Sequence, residues 1–198
     1  MTTLKNKVAI VTGSSKGIGA QIALTLAAAG AKTVINYAND DAAANNIVSQ
    51  IKSAGGEAIV VQADVSNAEQ VEAMFDATIS AFGKPDILVN SAGIMINKPI
   101  AETTDEDFDR IFAINVKGTF NTLREAATKL NDGGRVVNLS STTTRMMLPS
   151  YGTYCATKGA VDQLTRIFAK EVGARNITVN AVSPGPTDTE LFHQGKSD

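Results

Sequence analysis

The 198-residue sequence contains a single cysteine and a single histidine. Cys155 has no intrachain partner, so no disulfide frames the fold, and a reducing compartment, with the cytoplasm as default, is the expected setting. His193 alone offers no ligand cluster, and a metal centre is not expected. The 18 basic and 20 acidic residues leave a net charge of −2, and no run of Lys or Arg stands out. That balance removes the electrostatic case for nucleic acid or an anionic membrane. No apolar run is long enough to cross a bilayer. Residues 1–7 carry two lysines and no apolar stretch, so no signal peptide is expected. Internal repeats, low-complexity segments and Pro/Gly-rich linkers are also missing, which predicts one domain over 1–198 with a sizeable core.

What is there is an alternation. Six short β-branched runs, at 8–12, 33–37, 58–63, 86–91, 135–140 and 177–183, are apolar at nearly every position. Continuous rather than alternating hydrophobicity predicts strands buried on both faces. Helical stretches separate them near 17–29, 40–54, 67–82, 105–130 and 152–174. Ser66-Asn67-Ala68-Glu69 reads as a capping box. Thr104 followed by Asp105, Glu106 and Asp107 supplies N-cap chemistry and negative charge at a helix start. Strand, helix, strand with tight links predicts right-handed crossovers and an α/β fold, a doubly wound parallel sheet.

The first run leads directly into Gly13-Ser14-Ser15-Lys16-Gly17-Ile18-Gly19 and an Ala/Leu-rich helix. This is the order of strand, glycine turn and helix that a dinucleotide site requires. Gly13 can make the turn, Gly17 lets backbone approach a pyrophosphate, and Gly19 lets helix and sheet pack closely. The helix N-terminus then offers unpaired N–H groups and a positive dipole end. Alone, such a loop is equally an unliganded βα turn. Its place on the first strand of a wound sheet favours a cofactor.

Tyr154 and Lys158 stand at i and i+4, on one helix face. A lysine cation near a phenol favours the phenolate, so the pair is a plausible general acid and base. Chance occurrences of this spacing are common, and the neighbours decide its weight. Ser140-Ser141 ends the fifth strand, Asn90-Ser91-Ala92-Gly93 ends the fourth, and Pro184-Gly185 follows the sixth, all at one sheet edge. Asn115 interrupts a long helix in which Asn is not a favoured former, marking either a kink or an exposed position.

Taken in order, Thr12-Gly13 through Gly19, Asp64-Val65, Asn90 to Gly93, Asn115, Ser141, Tyr154/Lys158 and Pro184-Gly185 resemble the short-chain dehydrogenase/reductase family, in its T-G-x-x-x-G-x-G branch. The resemblance covers essentially the whole chain and implies a Rossmann-like fold and hydride transfer between a nicotinamide cofactor and a carbonyl or alcohol. It implies that Tyr154 exchanges the proton. Lys158 would hold the nicotinamide ribose and lower the Tyr154 pKa. Ser141, thirteen residues before the tyrosine, would bond the reacting oxygen in preference to Ser140, and Asn115 would support a water relay behind Lys158. The implied cofactor-binding set is Gly13, Ser15, Lys16, Gly17, Ile18, Gly19, Asn36, Tyr37, Ala38, Asn39, Asp64, Val65, Asn90, Ser91, Ala92, Gly93, Tyr154, Lys158, Pro184, Gly185, Thr187 and Thr189.

No carboxylate closes the second strand, where NAD-preferring sites place one on the ribose 2′-hydroxyl. Together with Lys16, the segment Asn36-Tyr37-Ala38-Asn39 resembles NADPH-preferring members, in which such Tyr and Asn positions reach the 2′-phosphate. Asp40 and Asp41 count against NADP if they turn inward and are neutral if they open the next helix. Met95, Met146, Met147 and Leu148 would make an adaptable apolar wall or ordinary core. Arg175 matches a basic position of reductases that dock an acyl carrier protein, whereas Asn131-Asp132 stands near another such position. Ketones, aldehydes, quinones and sugars stay open.

Relative to the family pattern the sequence stops early, at Asp198, without lid helices and a last strand. The expected consequences are an edge position for the sixth strand, a more open substrate site, and homo-oligomer contacts, dimer or tetramer, through the helices near 105–130 and 152–174. Ser91 stands where Asn is commoner. An NADP-dependent reductase is the leading expectation, and a cofactor-binding module without turnover is the alternative. A sugar-nucleotide epimerase is disfavoured by glycine spacing and length.

Overall fold

Apolar runs with no polar alternation need cover on both faces, and burial follows that demand. All four residues of β1 (Val8–Val11) are buried, as are five of the six in β2 (Lys32–Tyr37). With β3 (Ala58–Gln62), β4 (Ile87–Asn90), β5 (Arg135–Leu139) and β6 (Thr178–Val182) they form one parallel sheet in the order β3-β2-β1-β4-β5-β6. The computed structural model describes residues 3–189. Among these, β6 is an edge strand in which only Val179 is buried.

Among the described residues seven α-helices accompany the sheet: α1 (Gly17–Ala28), α2 (Asp41–Ser53), α3 (Ala68–Phe82), α4 (Asp105–Phe112), α5 (Gly118–Lys129), α6 (Thr143–Met146) and α7 (Gly152–Glu171). Neighbouring residues of each strand feed opposite cores, as the pleat dictates. Val11, Ile35 and Val89 pack with Ala20, Ala23, Ile47 and Ile51 of α1 and α2. Ile10, Val34, Leu88 and Val136 pack with Phe75, Leu123 and Phe168 of α3, α5 and α7. The winding reverses between β1 and β4, which opens a crevice at the carboxyl ends of those strands.

Two local expectations need correction. The cap of α3 is shifted by one residue: Asn67, not Ser66, accepts from the Gln70 amide at 3.1 Å. Gln70 then reaches the Asp64 amide at 2.8 Å rather than closing a box with Glu69. The long helix near 105–130 is broken by a π-helical turn at Ala113–Lys117, centred on buried Asn115. Such wide turns form where a side chain draws the backbone out of its i→i−4 ladder. Thr104 caps α4 as expected, accepting from the Asp107 amide at 3.1 Å.

Phe75 is fully buried where α3 meets the sheet. Phe75→Ala is expected to cost about 3–5 kcal/mol, read from urea unfolding. A loss below about 1 kcal/mol would mean that this core collapses onto the hole.

Candidate active site

The turn after β1 is held by its own side chains. Thr12 Oγ1 accepts from the amides of Ser91 and Ala92, each at 3.1 Å, which ties the turn to the segment after β4. The two backbones touch: a Cβ on Gly13, at φ +60°, would lie 2.7 Å from Ala92 Cα. A Cβ on Gly19 would strike the Gly13 carbonyl. Ser14 Oγ donates to Val11 O at 2.7 Å and accepts from the Asn36 amide at 3.0 Å. No side chain caps α1, and its first turn holds no acid. Its leading N–H groups therefore present positive partial charge toward the crevice. The uncapped amides and Lys16, with no carboxylate among the described residues that line the crevice, form a donor set that fits a dinucleotide pyrophosphate.

At the end of β2, the side chains of Asn36 and Tyr37 have partners within the protein. Asn36 is buried, accepts from the Gly13 amide at 3.1 Å and donates to the carbonyls of Val61 and Ala63 at 3.3 and 3.0 Å. It braces the glycine turn rather than reaching for a phosphate. Tyr37 donates its hydroxyl to Asp41 at 2.7 Å, and this hydrogen bond raises its pKa. Asp40 caps α2 by accepting from the Ala43 amide at 3.0 Å, so both aspartates serve the helix start. Ala38 and Asn39 are exposed at the strand end. Asp64 turns onto the Ser66 amide and hydroxyl, and Val65 is buried.

A cavity of about 470 Å³ runs along the carboxyl edge of the sheet. It gathers Gly13, Ser15, Lys16, Gly17, Ile18, Gly19, Ser91, Ala92, Gly93, Ser141, Tyr154, Lys158, Pro184, Gly185, Thr187 and Thr189. Asn36, Tyr37, Ala38, Asn39, Asp64, Val65, Asn90 and Asn115 do not line it. Ile94, Met95, Met146, Leu148 and Tyr151 form an apolar wall near Tyr154, whereas Met147 is 80% exposed and outside it.

At the inner end, Tyr154 and Lys158 project from the first turns of α7. Lys158 Nζ donates to Leu139 O at 2.8 Å and lies 5.6 Å from the centre of the Tyr154 ring. Burial lowers the Lys158 pKa to about 8, while Asp162 pulls upward. Burial raises the Tyr154 phenol, and a hydrogen bond with Ser141 pulls it back. Burial thus pushes both groups toward their neutral forms, and the raised phenol runs against the expected depression of Tyr154 by Lys158. Thr143 donates its amide and hydroxyl to Ser141 Oγ at 3.2 and 2.9 Å. Ser140 Oγ is buried and has no partner among the described residues.

Asn115 explains the π turn. Its amide accepts from Ile94 N at 2.8 Å and donates to Ile94 O at 2.9 Å and Thr157 Oγ1 at 3.1 Å. It thus clamps the segment after β4 against α7. Thr157 carries no sequence signal, whereas Asn138, a polar residue inside an apolar strand, carries one. Arg175 donates to Asp132 at 2.7 Å and to the carbonyls of Ala127 and Leu130, which end α5. Its guanidinium is engaged at the edge where strands begin and does not line the cavity. Among the described residues no cluster suits a metal and no helix is long and apolar enough to span a membrane. His193 lies outside them.

A Lys pKa of about 8 when folded and 10.5 otherwise means the unfolded chain binds more protons between those values. Stability then rises with pH across that window. Lys158→Met should therefore be stabilised most, relative to the parent, at neutral pH. In urea unfolding the difference should shrink as pH rises from about 8 toward 10.5. A pH-independent difference would contradict this.

Residues 7–198 match the family model for short chain dehydrogenases. The short chain dehydrogenase/reductase AacuN of Aspergillus aculeatus is 45% identical over 191 residues, 96% of this chain and 72% of that protein. The NADPH-dependent aldehyde reductase-like protein, chloroplastic, of Arabidopsis thaliana is 48% identical over 208 residues, covering 98% of this chain and 77% of the plant protein. The crystal structure of a putative dehydrogenase from Burkholderia cenocepacia with bound NADP superposes with a TM-score of 0.95 at 38% identity, over 100% of this chain and 76% of that one. The glycine turn, the wound sheet and the Ser141/Tyr154/Lys158 cluster thus stand in a chain that belongs to the short-chain dehydrogenase/reductase family of oxidoreductases.

Proposed function

We propose that residues 1–198 act as one unit that moves hydride between NADP(H) and a small, uncharged carbonyl or alcohol compound. The observation that carries this reading is a single cavity with uncapped helix amides at one end and Ser141, Tyr154 and Lys158 at the other. When bound, the nicotinamide supplies or accepts the hydride. Gly13 to Gly19 hold its pyrophosphate. Tyr154 donates a proton to the carbonyl oxygen on reduction and takes it back on oxidation. Ser141 bonds the same oxygen. Lys158, with a pKa near 8, is mostly cationic at neutral pH and supplies positive charge beside the phenol. A proton donor placed this way is worth about 10²–10⁴ in rate.

NADP(H) is favoured over NAD(H) by Lys16 at the cavity and by aspartates 40 and 41 being engaged at the start of α2. The plant relative's name and the NADP in the Burkholderia structure agree with it. The apolar wall, with no charged side chain on it, suits a neutral substrate. On the far side of the sheet edge, Phe112, Val116, Phe120, Leu164 and Ile167 line an apolar groove between α4, α5 and α7. Phe120 is 47% and Ile167 60% exposed. We assign this face to a second copy of the chain.

Calorimetric titration is expected to show NADPH binding more tightly than NADH. Oxidation of NADPH with 4-nitrobenzaldehyde as probe should fall at least about 10²-fold in Tyr154→Phe, with cofactor affinity nearly unchanged. Binding without turnover of a carbonyl panel would favour a non-catalytic cofactor module, and binding of neither cofactor would overturn the reading. Light scattering should give an oligomer mass that Phe120→Glu reduces to the monomer; a monomeric parent would refute the groove's assignment.

A further inference from the structure

We propose that Asn138 and Thr165 are positioning residues: a chain of four buried side chains pins β5 to α7 and so sets where Ser141 meets Tyr154. The chain runs across the sheet from helix to helix. Thr122 Oγ1 on α5 lies 2.7 Å from Asn90 Oδ1 and 2.8 Å from Thr119 O, so its one proton is shared between the two acceptors. Asn90 donates to Asn138 Oδ1 at 2.8 Å. Asn138 donates to Thr165 Oγ1 at 2.8 Å, and the Thr165 hydroxyl donates in turn to Val161 O at 2.7 Å. None of the four is more than 5% exposed.

Both amides have one allowed orientation. Thr165 spends its proton on the helix carbonyl, so it can only accept from Asn138, and Asn138 Oδ1 must then face Asn90. All the donors point from α5 toward α7, and bonds aligned in this way strengthen one another in a low dielectric. Asn90 and Asn138 are register partners across β4 and β5, so the chain cannot slide without breaking.

The four anchored elements carry the site. Asn90 precedes Ser91 to Gly93. Asn138 precedes Leu139, whose carbonyl holds Lys158, and Ser141. Thr165 lies two turns beyond Lys158 on α7, and Thr122 two turns beyond Asn115. Apolar packing of Phe168 also holds α7 to the sheet, but apolar contacts are non-directional and leave rotation and sliding open. The hydrogen-bonded chain removes that freedom. The inference rests on the proposed catalytic roles of Ser141, Tyr154 and Lys158, and its test has an arm that does not.

Thr165→Val keeps shape and loses the hydroxyl; Thr165→Ser keeps the hydroxyl. The first readout is the ionisation of the Tyr154 phenol, taken by ultraviolet difference between each variant and the same variant carrying Tyr154→Phe. The second is NADPH oxidation with 4-nitrobenzaldehyde. Thr165→Val and Asn138→Leu should weaken the Ser141 bond that lowers the phenol pKa, so the midpoint moves upward. Turnover should fall at least fivefold, with KM for the aldehyde and Kd for NADPH within twofold. Thr165→Ser should restore both. Phe168→Leu, which loosens α7 through the core alone, should lower Tm without moving the midpoint. An unmoved midpoint in Thr165→Val, or an equal shift in Phe168→Leu, overturns the proposal, including in a parent that turns over no carbonyl compound.

Discussion

A parallel sheet covered by helices on both faces has only its strand ends to offer as a binding edge. The arrangement of this chain follows from that constraint. Every strand is parallel, so one edge collects all the carboxyl ends, and the reversal between β1 and β4 divides the connections there into two groups. The turn after β1, the segment after β4, the serines after β5 and the stretch after β6 meet at a single cavity for topological reasons. The opposite edge collects the strand starts, where Lys7 and Asp86 pair at 3.0 Å and Arg175 closes the end of α5.

Covering the faces has an electrostatic cost at that edge. Lys158 and Tyr154 reach the cavity from beneath, through protein rather than through water, and each is biased against its charge. The compensation is local: a backbone carbonyl and Asp162 for the amine, a serine hydroxyl for the phenol. Opposed shifts carry the two ionisations apart, the phenol upward from 10.0 and the amine down from 10.5 to about 8, so the amine is the group that titrates nearer neutrality.

The sheet and its winding were legible in the sequence because long apolar runs have few physical solutions. Each of the six runs is a strand, with no end moved by more than one residue. The meeting of Ser141, Tyr154 and Lys158 at one cavity was legible for a related reason: it depends on position along one strand and one helix turn. The side chains at the end of β2 were not. Whether Asn36 faces a ligand or the Gly13 amide depends on a neighbouring turn far away in sequence. The role of Asn115 was equally hidden, because its partners Ile94 and Thr157 arrive on separate elements. Polar residues inside apolar strands are the signal that could have revealed Asn138. In a run buried on both faces, a polar side chain must find a partner or lose more than a kcal/mol or so.

The wide turn at Ala113–Lys117 also shapes the outside of the molecule. An α-helix advances 3.6 residues per turn, so side chains spaced by four drift steadily around its axis. A turn closed by i→i+5 bonds takes up one residue more and cancels much of that drift. Phe112, Val116 and Phe120, each four apart, thereby stay on one side and line the same groove. Asn115 gains its inward reach from the same distortion that straightens this outer row. A deletion that restored the regular helix would both withdraw the clamp on Ile94 and twist the aromatic row out of line, so interior and exterior are bound to one backbone irregularity and cannot be altered separately.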